Sequence, residues 1–259
     1  MAWLTLLLAL VFVHVAAQAA PDPLFENLGQ PVRTGSLPLY LVTQDAGGRH
    51  VAWGALEGAD ERALMGIRVD TGQVIRVDLR KFGESHIQFI KAADGNLYVY
   101  AGNPGHFLKY DVKKGELTDL GVPARKSSYW LGRAVGPDGK FYVGSFPETR
   151  LVCCDPATGK VEDLGRMAED EKECYIVHPA ISDDNVAYCP VGLHHQELWA
   201  FDLKTRTKKQ ILPEALTKAH GAPRVWVGTD GQVYGEASGK KFLCKPDGVE
   251  MSAAGGKTG

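Results

Sequence analysis

Between Asp138 and Gly165 the chain alternates apolar and polar positions in short runs, and each run is closed by Gly, Asp or Pro. A period of two with β-branched and aromatic residues argues for strands rather than helices. The spacing predicts strand A over Arg133–Gly136, a turn at Asp138-Gly139 and strand B over Lys140–Gly144. Strand C follows over Arg150–Cys154, then a turn over Pro156–Gly159 and strand D over Lys160–Leu164. Gly supplies positive φ at such turns, and Asp bonds the backbone two or three residues on.

That layout recurs. Asp94, Asp138, Asp184 and Asp230 lie 44, 46 and 46 residues apart, and a tyrosine follows each by four positions: Tyr98, Tyr142, Tyr188 and Tyr234. A second aspartate closes a later strand, at Asp111, Asp155 and Asp202, 17 or 18 residues after the first. A fixed offset within a repeat of this length marks an array of four-stranded units. One such unit exposes two apolar faces, and stacking units around an axis buries both. The fold class is therefore all-β, a β-propeller of four-stranded antiparallel blades. Four units are Leu37–Leu79, His86–Gly121, Trp130–Gly165 and Ile176–Leu212, and a fifth runs over Ala222–Met251 as its fourth strand begins.

Asn27-Leu28-Gly29 repeats the strand D endings Asp119-Leu120-Gly121 and Asp163-Leu164-Gly165. Residues Phe25 to Leu28 would then be a donated outer strand that closes a five-bladed ring. Asp247-Gly248 instead turns the fifth unit towards a fourth strand of its own, Val249–Met251. The second reading is a truncated ring of seven or eight blades, and both readings stand. Residues 21–252 form the propeller domain, and the low-complexity residues 253–259 form a disordered tail.

Composition changes this picture at the ends and in the partners. Trp3 to Ala17 is apolar, Ala17-Gln18-Ala19 offers small residues for cleavage, and Pro21-Asp22-Pro23 breaks the chain. Residues 1–20 read as a signal peptide, so the protein is secreted or periplasmic, with no membrane contact beyond the cleaved signal. An uncleaved anchor is the alternative. The net charge of −2 and the absence of a basic stripe exclude nucleic acid as a partner, and a monomer is expected. The five cysteines include no CxxC pair and most of them read as small core residues, Cys153 and Cys154 facing opposite sides of one strand.

Units of the form PDGKFYVGSF…LVCCDPATGKVEDLG resemble the repeats of secreted bacterial propellers of the streptogramin-lyase-like, quinoprotein-like and oligogalacturonate-lyase-like kinds. The resemblance covers about Leu24 to Met251 and implies the architecture, with a lyase activity permitted by it. The acidic, Asn-rich metal constellation of gluconolactonase-like propellers is absent from the sequence, as are the tryptophan-docking signature of quinoproteins and the Gly-His and Trp-Asp dipeptides of WD40 repeats.

Strands that alternate up and down put the short A–B and C–D turns at one end. The D–A and B–C connections share the other end and differ in every unit, including Arg80–His86, Val122–Tyr129, Arg166–Tyr175, Pro213–Gly221, Asn103–His106, Ser145–Thr149 and Pro190–Gln196. Variable loops on a rigid scaffold carry function. Ligand-binding candidates there are Trp130, His86, Gln88 and His220. Catalytic candidates are His178, Arg133, Arg224 and Tyr175, because elimination beside a carboxylate needs a base, a cation on the carboxylate and a stacking aromatic. A divalent metal would fall to His178, His220 or His106. The expected ligand is a carbohydrate or other polar small molecule, with a metal-assisted lyase or a protein-interaction platform as alternatives. The tyrosines of the repeat belong to blade packing, and the acidic run Glu169–Glu173 to a solvated loop.

Overall fold

Each sequence unit folds as its own four-stranded antiparallel sheet in this computed structural model, which describes residues 37–58, 61–84 and 86–251, the side chains of 129–131 excepted. The first sheet holds β1 (Leu39–Gln44), β2 (His50–Glu57), β3 (Arg62–Arg68) and β4 (Val74–Asp78). The second holds β5 (Gln88–Lys91), β6 (Leu97–Ala101), β7 (His106–Asp111) and β8 (Glu116–Gly121), and the third β9 (Ser128–Val135), β10 (Phe141–Phe146), β11 (Arg150–Cys154) and β12 (Val161–Arg166). The fourth holds β13 (Ala180–Ile181), β14 (Val186–Gly192), β15 (Gln196–Asp202) and β16 (Lys208–Gln210), and the fifth β17 (Arg224–Val227), β18 (Val233–Ala237), β19 (Lys240–Lys245) and β20 (Gly248–Met251). Every sheet runs in chain order, and the first strands of successive sheets are neighbours. This is the arrangement of propeller blades, with β1, β5, β9, β13 and β17 innermost.

The repeated Asp–Tyr spacing has a bonding cause. Asp138 accepts the amide of Lys140 at 3.1 Å on one oxygen and the Tyr142 hydroxyl at 2.8 Å on the other. Asp230 does the same for Gln232 and Tyr234, at 3.1 and 2.7 Å. Four residues is the separation at which one carboxylate can hold both the turn and the following strand. The later aspartates cap the C–D turns: Asp202 accepts the amides of Lys204 and Thr205, each at 2.8 Å.

Apolar layers lie between consecutive blades. Leu41, Val51, Trp53 and Leu64 of the first blade pack on Phe89, Val99 and Leu108 of the second. Cys153 joins the layer between the third and fourth blades and Cys154 the layer between the second and third, as alternation along β11 requires. Tyr98, Tyr142 and Tyr188 are buried in these layers, whereas Tyr234 is half-buried on the last blade.

Two expectations need adjustment, the long B–C connections and the solvated Glu173. The B–C connections are tight, because β10 continues through Ser145 and Phe146 and β14 through Pro190 to Gly192. Pro190 is a strand residue opposite Leu198, and its carbonyl accepts the Val177 amide at 2.9 Å. The long connections are the D–A ones, which also carry a 3-10 turn (Arg80–Phe82) and the short α1 (Glu214–Thr217). Within the described residues the fifth blade has its own fourth strand, β20. Glu173 is not solvated; it is fully buried. The signal peptide over 1–20, the donated strand at Phe25–Leu28 and the tail over 253–259 lie outside the described residues. No helix among the described residues is long and apolar enough to cross a membrane.

Candidate functional site

Each innermost strand contributes one residue: Tyr40 near the start of β1, Gln88 at the start of β5, Arg133 towards the end of β9, His178 just ahead of β13, and Arg224 at the start of β17. Arg133 ties these blades together. Its Nη1 donates to Gln88 Oε1 at 2.6 Å, and its guanidinium carbon lies 4.9 Å from the centre of the Tyr40 ring. Tyr40 in turn packs on Phe89, with ring centres 4.6 Å apart. Among the described residues neither Arg133 nor Arg224 forms a salt bridge.

His178 is held in place by backbone. It is exposed and adopts φ 46°, in the left-handed region, immediately before Pro179. A residue before proline favours extended backbone, so this conformation is uphill and is maintained by its surroundings. The strand pairing of Tyr175–Val177 with Pro190–Gly192 holds one side: the Val177 amide bonds Pro190, and Ile176 bridges Val191. On the other side, β9 carries extra residues opposite Gly144, since Val143 pairs with Arg133 but Ser145 with Tyr129. Gly132 sits in that irregularity at φ 85°, and a Cβ there would fall 2.2 Å from the His178 Cα and amide nitrogen. Only glycine permits this approach.

The electrostatics follow from the grouping. Surrounding protein limits hydration of the His178 ring, and the charges of Arg133 and Arg224 add to that, so its pKa lies below the usual 6.5. Burial pushes Tyr40 up to about 12, with Arg133 opposing and Glu57 reinforcing the shift. Tyr40 is therefore a neutral donor. The group carries two cations, a neutral imidazole, an amide and a phenol.

The other candidates fall beside this group or away from it. His86 Nδ1 lies 2.8 Å from Glu57 Oε2, and Glu57 Oε1 accepts the Ile87 amide at 2.7 Å. Tyr175 stacks on Phe146 at 4.8 Å and 20°, in the same connection as His178. Trp130 lies in β9, and its side chain is outside the described set. His106 is on β7, 2.9 Å from Asp119 and against Phe82, and His220 is exposed in the connection before β17. No described contact joins either to His178. The divalent metal expected alongside the lyase resemblance does not fit this donor set, which offers one imidazole between two guanidiniums. Among the described residues no three His, Cys, Asp or Glu side chains converge as a metal site would require.

Sequence reasoning missed Tyr40 and Glu57. It also missed a buried clamp behind the site. Glu173 accepts the His194 amide at 3.1 Å and the His195 amide at 3.2 Å, and His195 Nδ1 lies 3.0 Å away. His195 Nε2 lies 2.9 Å from Glu197, which accepts the Trp199 indole N–H at 2.7 Å. This ties the Arg166–Tyr175 connection to the end of β14. The spacing 40, 88, 133, 178, 224 was the available signal for Tyr40.

No family model matches the chain, and no curated protein matches it in sequence. Solved structures resemble it in fold. YCF48 bound to D1 peptide aligns with a TM-score of 0.54 at 11% identity, over 84% of this chain and 67% of that one. The WD40 repeats of RRP9 align at 0.53 and 11%, over 84% and 63%. The extracellular domain of the putative one-component system BT4673 from B. thetaiotaomicron aligns at 0.52 and 14%, over 78% of this chain and 26% of that one. The chain thus spans about a quarter of that domain's length. These neighbours are β-propellers, and this chain has the β-propeller fold.

Proposed function

We propose that this propeller is exported and binds a polar small molecule, carbohydrate-like and carrying an anionic group, at the mouth formed by the five inner strands. One observation carries the reading: Arg133 and Arg224 flank a neutral His178 and no described carboxylate neutralises them. Two guanidiniums left without a carboxylate favour an anion from outside. A charge-assisted hydrogen bond contributes about 1.5–3 kcal/mol net, which corresponds to roughly tenfold or more in affinity. Titration calorimetry of the mature protein with galacturonate tests this directly. Arg224→Gln is expected to weaken binding about tenfold, and unchanged affinity in that variant sinks the assignment.

A second reading is favoured by the lowered pKa of His178. Neutral at pH 7, it is competent to take a proton from the carbon beside a bound carboxylate, with Arg133 or Arg224 on the carboxylate itself. The departing group on the next carbon would leave as the double bond forms. Incubation with polygalacturonate would then release unsaturated, ultraviolet-absorbing ends. A wild-type protein that binds galacturonate yet yields none is a binding module only.

A further inference from the structure

The side chain that departs most from a routine packing role is Tyr40. Its ring lies between Phe89, with centres 4.6 Å apart, and the Arg133 guanidinium at 4.9 Å, while Gln88 takes one Arg133 nitrogen at 2.6 Å. An arginine loses considerable side-chain freedom when a ligand immobilises it. Here that loss has already occurred on folding, since a ring and an amide from two other blades hold the plane of the guanidinium. Nη1 donates to Gln88, and the guanidinium also hydrogen-bonds the Tyr40 side chain. The remaining N–H groups lie in the plane that these two partners fix, and a planar fork of this kind matches the two oxygens of a carboxylate.

We infer that Tyr40 is a positioning residue that presets Arg133 as a two-pronged donor, and that the ligand of this mouth is a sugar acid read through its carboxylate. The inference rests on the small-molecule reading above, but half of it is testable without any ligand. Preorganisation raises affinity by removing an ordering cost, and it does so only for the ligand that uses the ordered group. Tyr40 therefore acts on acidic sugars and leaves neutral ones alone. Both the ring face and the hydroxyl contact Arg133, so Tyr40→Phe keeps the ring's share of the effect and loses the hydroxyl's.

The experiment uses the mature protein and its Tyr40→Phe, Tyr40→Leu and Arg133→Lys variants. The first readout is the Arg133 Nε–H resonance in ligand-free protein by 15N NMR. It should be sharp and ordered in wild type, broader in Tyr40→Phe, and exchange-broadened most in Tyr40→Leu. The second is calorimetric affinity for galacturonate and for galactose, which share a ring and differ in the carboxylate. Tyr40→Leu should lose about tenfold towards galacturonate and nothing towards galactose, Tyr40→Phe should fall between Tyr40→Leu and wild type, and Arg133→Lys should lose the preference despite keeping the charge. An ordered Arg133 resonance in Tyr40→Leu overturns the positioning role whatever binds. Equal loss towards both sugars overturns it too, as a structural defect. A wild type that binds neither sugar removes the small-molecule reading and the sugar-acid assignment, and the NMR result still decides the role of Tyr40.

Discussion

Replacing Gly132 by alanine adds one carbon at the most crowded point of the site. That carbon would lie 2.2 Å from both the Cα and the amide nitrogen of His178, and 2.8 Å from its Nδ1. The first two are backbone atoms and cannot swing away. Two costs add. Alanine at φ 85° is disfavoured by about 1–2 kcal/mol, and forcing the β9 bulge and the His178 segment apart costs about 1–3 kcal/mol more. Their sum is roughly 2–5 kcal/mol, or a fall in melting temperature of about 5–20 °C for a domain of this size. Gly139→Ala is the control, because Gly139 has φ 74° but open space within 4 Å of its Cβ position. It should show only the conformational cost, a fall of about 2–8 °C. Scanning calorimetry on the two variants measures the difference. Because the displaced segment carries His178, Gly132→Ala should also weaken galacturonate binding while Gly139→Ala should not. Equal melting temperatures, or retained affinity in Gly132→Ala, would refute the claim that backbone contact fixes His178.

Two more outcomes follow from the same geometry. Glu173→Gln removes the buried charge on which the His194 and His195 amides converge and replaces one of its two acceptor oxygens by a donor, and should cost roughly 2–4 kcal/mol in urea unfolding. A change in midpoint too small to resolve would mean the clamp contributes nothing. His178 has a folded pKa below its usual 6.5, so below pH 6.5 the unfolded chain takes up a proton that the folded one resists. Stability should fall as pH drops from 6.5 towards the folded value, and His178→Gln should flatten that slope; identical slopes in the two proteins would contradict the shift.

The repeat was legible because its cause is local. An aspartate that bonds the amide two residues on and the tyrosine hydroxyl four residues on leaves a spacing that survives in the bare sequence, at Asp138 and Asp230 alike. Gln88, Arg133, His178 and Arg224 were legible for a related reason: they lie on or just ahead of inner strands at recurring positions of the repeat, and position in the repeat stands in for position in space. Tyr40 was not, because its unit begins with Asp45, whose carboxylate bonds Gly47 and Arg49 rather than a tyrosine. Without the landmark, the register that places Tyr40 beside Arg133 shows only in the spacing of the inner strands, which is 48 residues from Tyr40 to Gln88 against 45 or 46 for the others. Glu173 looked like one more member of an acidic run. Its burial depends on Leu193–His195 folding over it, and no local pattern records such a contact. Pro190 was read as a loop marker, yet it sits in β14 beside the irregular Val177–Pro179 segment, where the ladder asks least of its missing N–H.

The central claim is that the mouth of the inner strands grips a carboxylate between Arg133 and Arg224. A crystal of the mature protein soaked with galacturonate tests it most directly. The account predicts the carboxylate within hydrogen-bond distance of the Arg133 guanidinium, with Arg224 and His178 beside it. Galacturonate seated at the A–B and C–D turn end, or at the mouth with its carboxylate turned away from both arginines, would contradict it.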